Sequence, residues 1–103
     1  DFISNNNKSI NVEFIQNLVA SHFNLNIQEL LSPRRSRSLA RPRQIAMYLA
    51  KKMTTRSLPE IGRRFANRDH TTVIHAVKTI TRLSEQYDEM KKNINQIKDL
   101  LLE

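Results

Sequence analysis

Four consecutive short polar residues carry the side chains best suited to hydrogen-bonding chemistry: Asp69, His70, Thr71 and Thr72. The apolar residues that follow recur at the spacing of one helical face: Val73, Ala76, Val77, Ile80 and Leu83. The four polar residues have poor or middling helix propensity, so helix formation alone does not account for them. Short side chains with mixed donors and acceptors indicate direct contact with a polar partner.

Neither metal binding nor catalysis fits these side chains. His70 and His75 are five positions apart, off the i, i+4 spacing of a helical metal pair, and no Cys or nearby Glu completes a shell. The serines fall in predicted loops or caps, and no glycine-rich turn offers an oxyanion hole. We therefore predict no metal site, no catalytic residue and no enzymatic activity.

The segment "SLPE", residues 57–60, predicts the start of the preceding helix. Ser57 and Glu60 can form a capping box, in which each side chain accepts from the other residue's amide. Pro59 needs no donor in a first turn, so the helix should begin at Leu58.

This short helix should end after Phe65, where Asn67 can adopt the left-handed conformation and Asp69 can cap the next helix. Two helices separated by a turn of about four residues are typical of a helix-turn-helix. In that motif the first residues of the second helix meet base edges in the major groove, so residues 69–72 are predicted to read bases. A purely capping role for Asp69 is the alternative. A polar stripe continues along the helix at Thr71, His75, Lys78 and Arg82.

The rest of the chain also predicts helices, which makes the fold class all-α. One Gly, three Pro and no period-2 run favour helices throughout. Together with the helix-turn-helix, this leads us to expect a compact domain of five to six helices of the Trp-repressor-like class. Residues 1–10 are predicted to be the end of a linker, and residues 11–103 one helix-turn-helix DNA-binding domain. The first helix should begin near Val12 after the Asn11 cap and end near Phe23.

Further helices are predicted on either side of an arginine-rich segment. "NIQELLSP" predicts a second helix with an Asn26–Glu29 capping box and a stop at Pro33. "RRSRS", residues 34–38, is predicted to be an exposed arm. A third helix should follow, its start uncertain by several residues, with Pro42 in its first turn. A last helix should cover the core with Met90, Ile94, Ile97 and Leu101.

The charge is concentrated in the middle of the chain. Its net value is +7, but residues 34–82 contain thirteen Lys or Arg and two acidic residues, so that stretch carries +11 and the remainder −4. This asymmetry indicates a polyanion-binding surface. No apolar run approaches the ~20 residues of a membrane span, and Cys is absent. Because the chain begins with Asp1, we expect it to be a piece of a longer protein.

Two stretches carry a resemblance to a known family. "RRSRSLARPRQIAMYLAKKMT" and "SLPEIGRRFANRDHTTVIHAVKTI" resemble the C-terminal DNA-binding domain, domain IV, of the bacterial chromosomal replication initiator DnaA. The resemblance runs from about Asn11 to Arg82. It implies recognition of asymmetric, AT-rich initiator boxes at the replication origin, through a helix-turn-helix and a basic loop.

Carried over by position, the resemblance implies that Arg35 enters the minor groove while residues 69–72 face the major groove. The sequence departs from the family at Ala66 and Asn67, where two glycines are common. Further residues are expected to hold phosphates or to lie at the DNA surface: Ser36, Arg37, Arg43, Gln44, Lys51, Ser57, Leu58, Pro59, Arg68, His75 and Lys78.

The motif forms one asymmetric reading head and the sequence has no sustained heptad seam for a dimer, so we expect one monomer per box. The resemblance implies a cytoplasmic, nucleoid-associated protein. Similar initiators bind ATP through a separate module, and this chain, with one glycine and no G-x-x-x-x-G-K-[ST], is expected to hold no cofactor. A helix-turn-helix transcriptional regulator is the alternative function. Acidic phospholipid and regulatory proteins stay open as further partners.

Overall fold

The computed structural model describes residues 10–103, so all of the predicted linker end at residues 1–10 except Ile10 lies outside the described residues. The described part contains six helices and no strand, which confirms the all-α prediction. The helices are α1 (Val12–His22), α2 (Ile27–Leu30), α3 (Arg37–Met53), α4 (Leu58–Arg63), α5 (His70–Gln86) and α6 (Asp88–Leu101).

Asparagine side chains start the first two helices, as predicted. The Oδ1 atom of Asn11 accepts from the amide of Phe14 at 2.7 Å. Asn26 accepts from the amide of Gln28 at 2.8 Å, and its own amide donates to the Glu29 carboxylate at 3.3 Å. Each cap satisfies an amide that the first helical turn leaves without a partner.

The core lies where α3 packs against α1, α4 and α5. Its largest fully buried side chains include Ile15, Leu49, Phe65 and Ile80. Burial of each such side chain contributes about 1.5–3 kcal/mol. The last helix, α6, packs on α1 and α5 and buries Ile94, Ile97 and Leu101, so it covers the core as predicted.

The start of α3 differs from the prediction. The carbonyl of Ser36 already accepts from the amides of Leu39 and Ala40, so the helix begins at Arg37 and includes Ser38. Pro42 is therefore the sixth helical residue and lies in the second turn. An interior proline loses one backbone hydrogen bond. Pro42 is buried, and burial of its ring offsets part of that loss. Residues 31–36 form the connection between α2 and α3, and we call this connection, in place of the predicted residues 34–38, the arm.

The turn between α4 and α5 is closed by backbone geometry. Asn67 has the predicted left-handed conformation (φ 56°), and Ala66 shares it (φ 61°). The amide of Arg68 donates to the carbonyl of Gly62 at 2.9 Å. This hydrogen bond and the two left-handed residues bring the start of α5 against α4 and complete the helix-turn-helix.

Candidate nucleic-acid interface

The first turn of α5 presents its polar side chains to solvent. Asp69, His70, Thr71 and Thr72 are all exposed, whereas Val73 is fully buried. Farther along the same helix His75, Lys78 and Arg82 are also exposed. The helix thus has one face in the core and one polar face that is free to contact a partner.

Asp69 occupies the N-cap position of α5, but its carboxylate caps no backbone amide. It accepts instead from the Thr71 hydroxyl at 2.6 Å and lies 3.2 Å from Nδ1 of His70. The hydroxyl of Thr71, more than the neighbouring His70, holds the pKa of Asp69 below its ordinary value. The carboxylate is therefore ionised at neutral pH, and it orders the two side chains that follow it.

The start of α4 lies beside this surface. Oγ of Ser57 accepts from the Glu60 amide at 3.3 Å, which is one half of the predicted capping box. The other half is not formed, because the Glu60 carboxylate is drawn to Arg56 at 3.2 Å and Arg64 at 3.6 Å. Pro59 is exposed, whereas Leu58 is half-buried against the core.

The arm and α5 face each other across an open cleft of about 390 Å³. Arg35, Arg37 and Gln44 line one side of the cleft, and Thr72 and His75 line the other. Ala40, Met47 and Ala76 contribute apolar lining, and Ser36, Arg43 and Arg68 also line the cleft. The fold therefore brings the predicted minor-groove residue and the predicted major-groove helix to the same surface.

The other predicted contact residues are spread around this cleft. Ser36 is half-buried, with Oγ 3.0 Å from Oγ of Ser38. The side-chain oxygen of Gln44 accepts from Arg41 at 2.6 Å. Lys51 is exposed in the last turn of α3. For these residues a contact with DNA stays a prediction.

Arg43 does not fit the phosphate contact predicted for it. The residue is only 5% exposed, and its guanidinium points into the arm. Nε donates to the Leu30 carbonyl at 2.8 Å, Nη2 to the carbonyls of Glu29 at 2.9 Å and Ser32 at 2.8 Å, and Nη1 to the Arg34 carbonyl. Burial, followed by the charges of Arg68 and Arg34, lowers the pKa of Arg43.

Arg68 is likewise engaged within the protein, although it was predicted to be a surface contact. It is half-buried, and it donates to the carbonyls of Phe65 at 2.7 Å and Ser32 at 3.2 Å. Burial and the charge of Arg35 lower the pKa of Arg68. The sequence carried a signal for the burial of Arg43, because it lies between Leu39 and Ala46 on the apolar face of α3. It carried no such signal for Arg68.

Comparison with known proteins identifies the family of this chain. A family model described as "Bacterial dnaA protein helix-turn-helix" matches residues 12–80. The chain belongs to this family. The resemblance to DnaA stated from the sequence is therefore confirmed, and the helix-turn-helix is that of a DNA-binding family of replication initiators.

Individual relatives agree with this assignment. The chromosomal replication initiator protein DnaA of Ehrlichia ruminantium (strain Gardel) is 50% identical over 101 residues, which are 98% of this chain and 22% of the relative. The protein of the same name from Brucella abortus biovar 1 (strain 9-941) is 55% identical over 95 residues, 85% of this chain and 19% of the relative. The chain thus spans about a fifth of the length of these DnaA proteins.

A solved structure described as a DNA replication initiation factor superposes with a TM-score of 0.77 at 31% identity, covering 88% of this chain and 28% of that one. Within residues 10–103, none of the helices of this DnaA-family chain is long and apolar enough to cross a membrane. The same residues contain no cluster of three or more His, Cys, Asp or Glu that could hold a metal ion.

Proposed function

We propose that the chain binds duplex DNA at AT-rich initiator boxes of a bacterial replication origin and thereby takes part in starting chromosome replication. The observation that carries this proposal is the shared cleft, in which Arg35 of the arm faces Thr72 and His75 of α5. With α5 in the major groove, the arm is close enough to enter the adjoining minor groove. Contact with both grooves defines one asymmetric site per monomer.

Base readout in the major groove would come from the first turn of α5. The ionised carboxylate of Asp69 can accept from a cytosine amino group. Thr71 and Thr72 each offer a hydroxyl and a methyl, which suits a thymine methyl beside a hydrogen-bonding edge. Because Asp69 already orders His70 and Thr71, less side-chain freedom is lost on binding.

Phosphate contacts would fix the position of α5 on the duplex. The side chains proposed for these contacts are at least partly exposed. They are Gln44 and Lys51 in α3, Ser57 before α4 and His75 in α5. Such contacts add affinity that depends on salt and little on sequence. The whole initiator's ATP-dependent steps are proposed to reside outside this chain, because a single glycine cannot form a phosphate-binding P-loop. A non-catalytic role and a cytoplasmic location belong to the same proposal.

The central test compares alanine variants on a box duplex and on random duplex. His70→Ala and Thr72→Ala should each weaken box binding by about 1–3 kcal/mol and change random-duplex binding much less, because they remove base readout. Thr81→Ala is the matched control. Thr81 lies nine positions after Thr72 in α5, on the opposite side of the helix. Its hydroxyl donates to the Val77 carbonyl at 2.7 Å.

Equal losses on both duplexes would contradict the base-reading assignment. Genomic footprinting of the full-length protein separates an initiator from a transcriptional regulator. Clustered sites at one origin support the initiator, and scattered promoter sites support the regulator.

A further inference from the structure

One backbone oxygen joins the arm to the helix-turn-helix. The carbonyl of Ser32 accepts from Nη2 of Arg43 at 2.8 Å and from Nη2 of Arg68 at 3.2 Å. We call these three residues the Ser32 clamp. Arg43 belongs to α3 and Arg68 to the turn before α5, so the clamp ties the arm to both elements.

The clamp reaches along the arm as far as the residue before Arg35. The Arg43 guanidinium also bonds to the carbonyls of Leu30 and Arg34 and to the hydroxyl of Ser32. The backbone is therefore held by hydrogen bonds both at the end of α2 and within the arm. Without these bonds, the freed residues would regain backbone freedom.

The chemistry of this position demands arginine. A planar guanidinium has five donors and can bond to several carbonyls at once, whereas the ammonium of lysine is a point donor at the end of a flexible stem. None of the ion pairs formed among the described residues involves Arg43. Its charge is balanced by carbonyl dipoles of the last two residues of α2 and of Ser32 and Arg34 in the arm, so the residue and the arm's conformation depend on each other.

We propose that Arg43 is a positioning residue that sets Arg35 at a fixed place relative to α5, so that both grooves are read in one register. This inference rests on the proposed minor-groove role of Arg35 and goes beyond it. Arg68 contributes through the same carbonyl.

The test measures minor-groove discrimination in the full chain. At the arm end of the box, A·T pairs are replaced by inosine·cytosine, which keeps the minor-groove face, or by G·C, which adds an amino group. The ratio of the two dissociation constants should be roughly tenfold for the parent. Arg35→Ala should bring the ratio to one. Arg43→Lys should do nearly the same although it preserves the charge, and the double variant should lose nothing further.

Two controls separate positioning from loss of fold. The penalty for a wrong major-groove base opposite His70 should change less than about twofold in Arg43→Lys, because α5 is unaltered. Arg68→Lys, a milder variant that removes one of the two donors, should lower the ratio part of the way. Arg64→Lys, at the exposed residue directly after α4, should leave it unchanged.

The other possible outcomes each contradict either the positioning role of Arg43 or the minor-groove role of Arg35. If Arg35→Ala abolishes the discrimination and Arg43→Lys preserves it, Arg43 does not position the arm, whereas the minor-groove assignment stands. If Arg43→Lys lowers both discriminations equally, its role is general stability and the inference fails. If Arg35→Ala leaves the discrimination intact, the minor-groove role fails and the inference fails with it.

Discussion

Gly62→Ala tests how closely α4 approaches the turn before α5. A Cβ atom at this position would lie 2.2 Å from the carbonyl oxygen of Arg68 and 3.2 Å from its carbonyl carbon. Both are backbone atoms, so no side-chain rotation can relieve the contact. The turn is also held from the other direction, because the Arg68 amide donates to the Gly62 carbonyl at 2.9 Å.

The expected cost follows from this geometry. Carbon and carbonyl oxygen normally approach to about 3.3–3.6 Å, so the turn must open by roughly 1 Å. Overpacking of this kind costs about 1–3 kcal/mol, and loss of the Gly62–Arg68 hydrogen bond costs about 1 kcal/mol more. Alanine returns about 1 kcal/mol of helix propensity. The net loss of unfolding free energy should be about 2 kcal/mol, which lowers Tm by roughly 8–16 °C.

Urea unfolding followed by circular dichroism measures the change directly, with an unchanged m-value expected. Ala66→Gly is the control in the same turn. Ala66 has a left-handed φ of 61°, so glycine should relieve about 1 kcal/mol of backbone strain and leave the domain equally or slightly more stable. A Gly62→Ala variant with the parent's stability would refute the argument, because it would show that the turn relaxes without cost.

Further predictions address the caps, the carboxylate and the phosphates. Ser57→Ala should lower the unfolding free energy by about 1 kcal/mol in urea, because the Glu60 amide loses its acceptor. The pKa of Asp69 is depressed, so its stabilising contribution is fully present above the ordinary aspartate pKa of about 3.9 and is lost as the pH falls through the lower folded value. NMR titration should show that pKa rising in Thr71→Val; an unchanged value would exclude Thr71 as its cause. Lys51→Ala should reduce the slope of log K against log salt by about 0.9, and an unchanged slope would place Lys51 away from phosphate.

The helix boundaries that were predicted well depend on local signals. Asn11, Asn26 and Ser57 each cap a helix within three residues along the chain. The left-handed Asn67 also reflects a preference of the residue itself. The start of α3 could not be placed this way, because the local rule keeps proline in a first turn, whereas Pro42 lies in the second turn and is buried.

The candidate site shows the same division between local and tertiary causes. The exposed first turn of α5 followed from apolar periodicity, since Val73 and Ala76 fix which face is buried. The engagement of Arg68 could not be predicted, because its acceptor, the Ser32 carbonyl, is 36 positions away. Composition identifies a basic segment, but only the folded backbone decides which arginines find acceptors inside it.

This distinction changes the interpretation of the net charge. Residues 34–82 carry thirteen Lys or Arg, yet the structure withdraws Arg43 into the protein and commits Arg68 to two carbonyls. Both charges still contribute to the field that attracts DNA, since burial among dipoles does not neutralise them. Arg43, at 5% exposure, is not placed to release a counterion by direct contact with phosphate. In the proposed binding mode the basic segment therefore provides long-range attraction through more residues than make contact, and specificity depends on the few residues that Arg43 and Arg68 position.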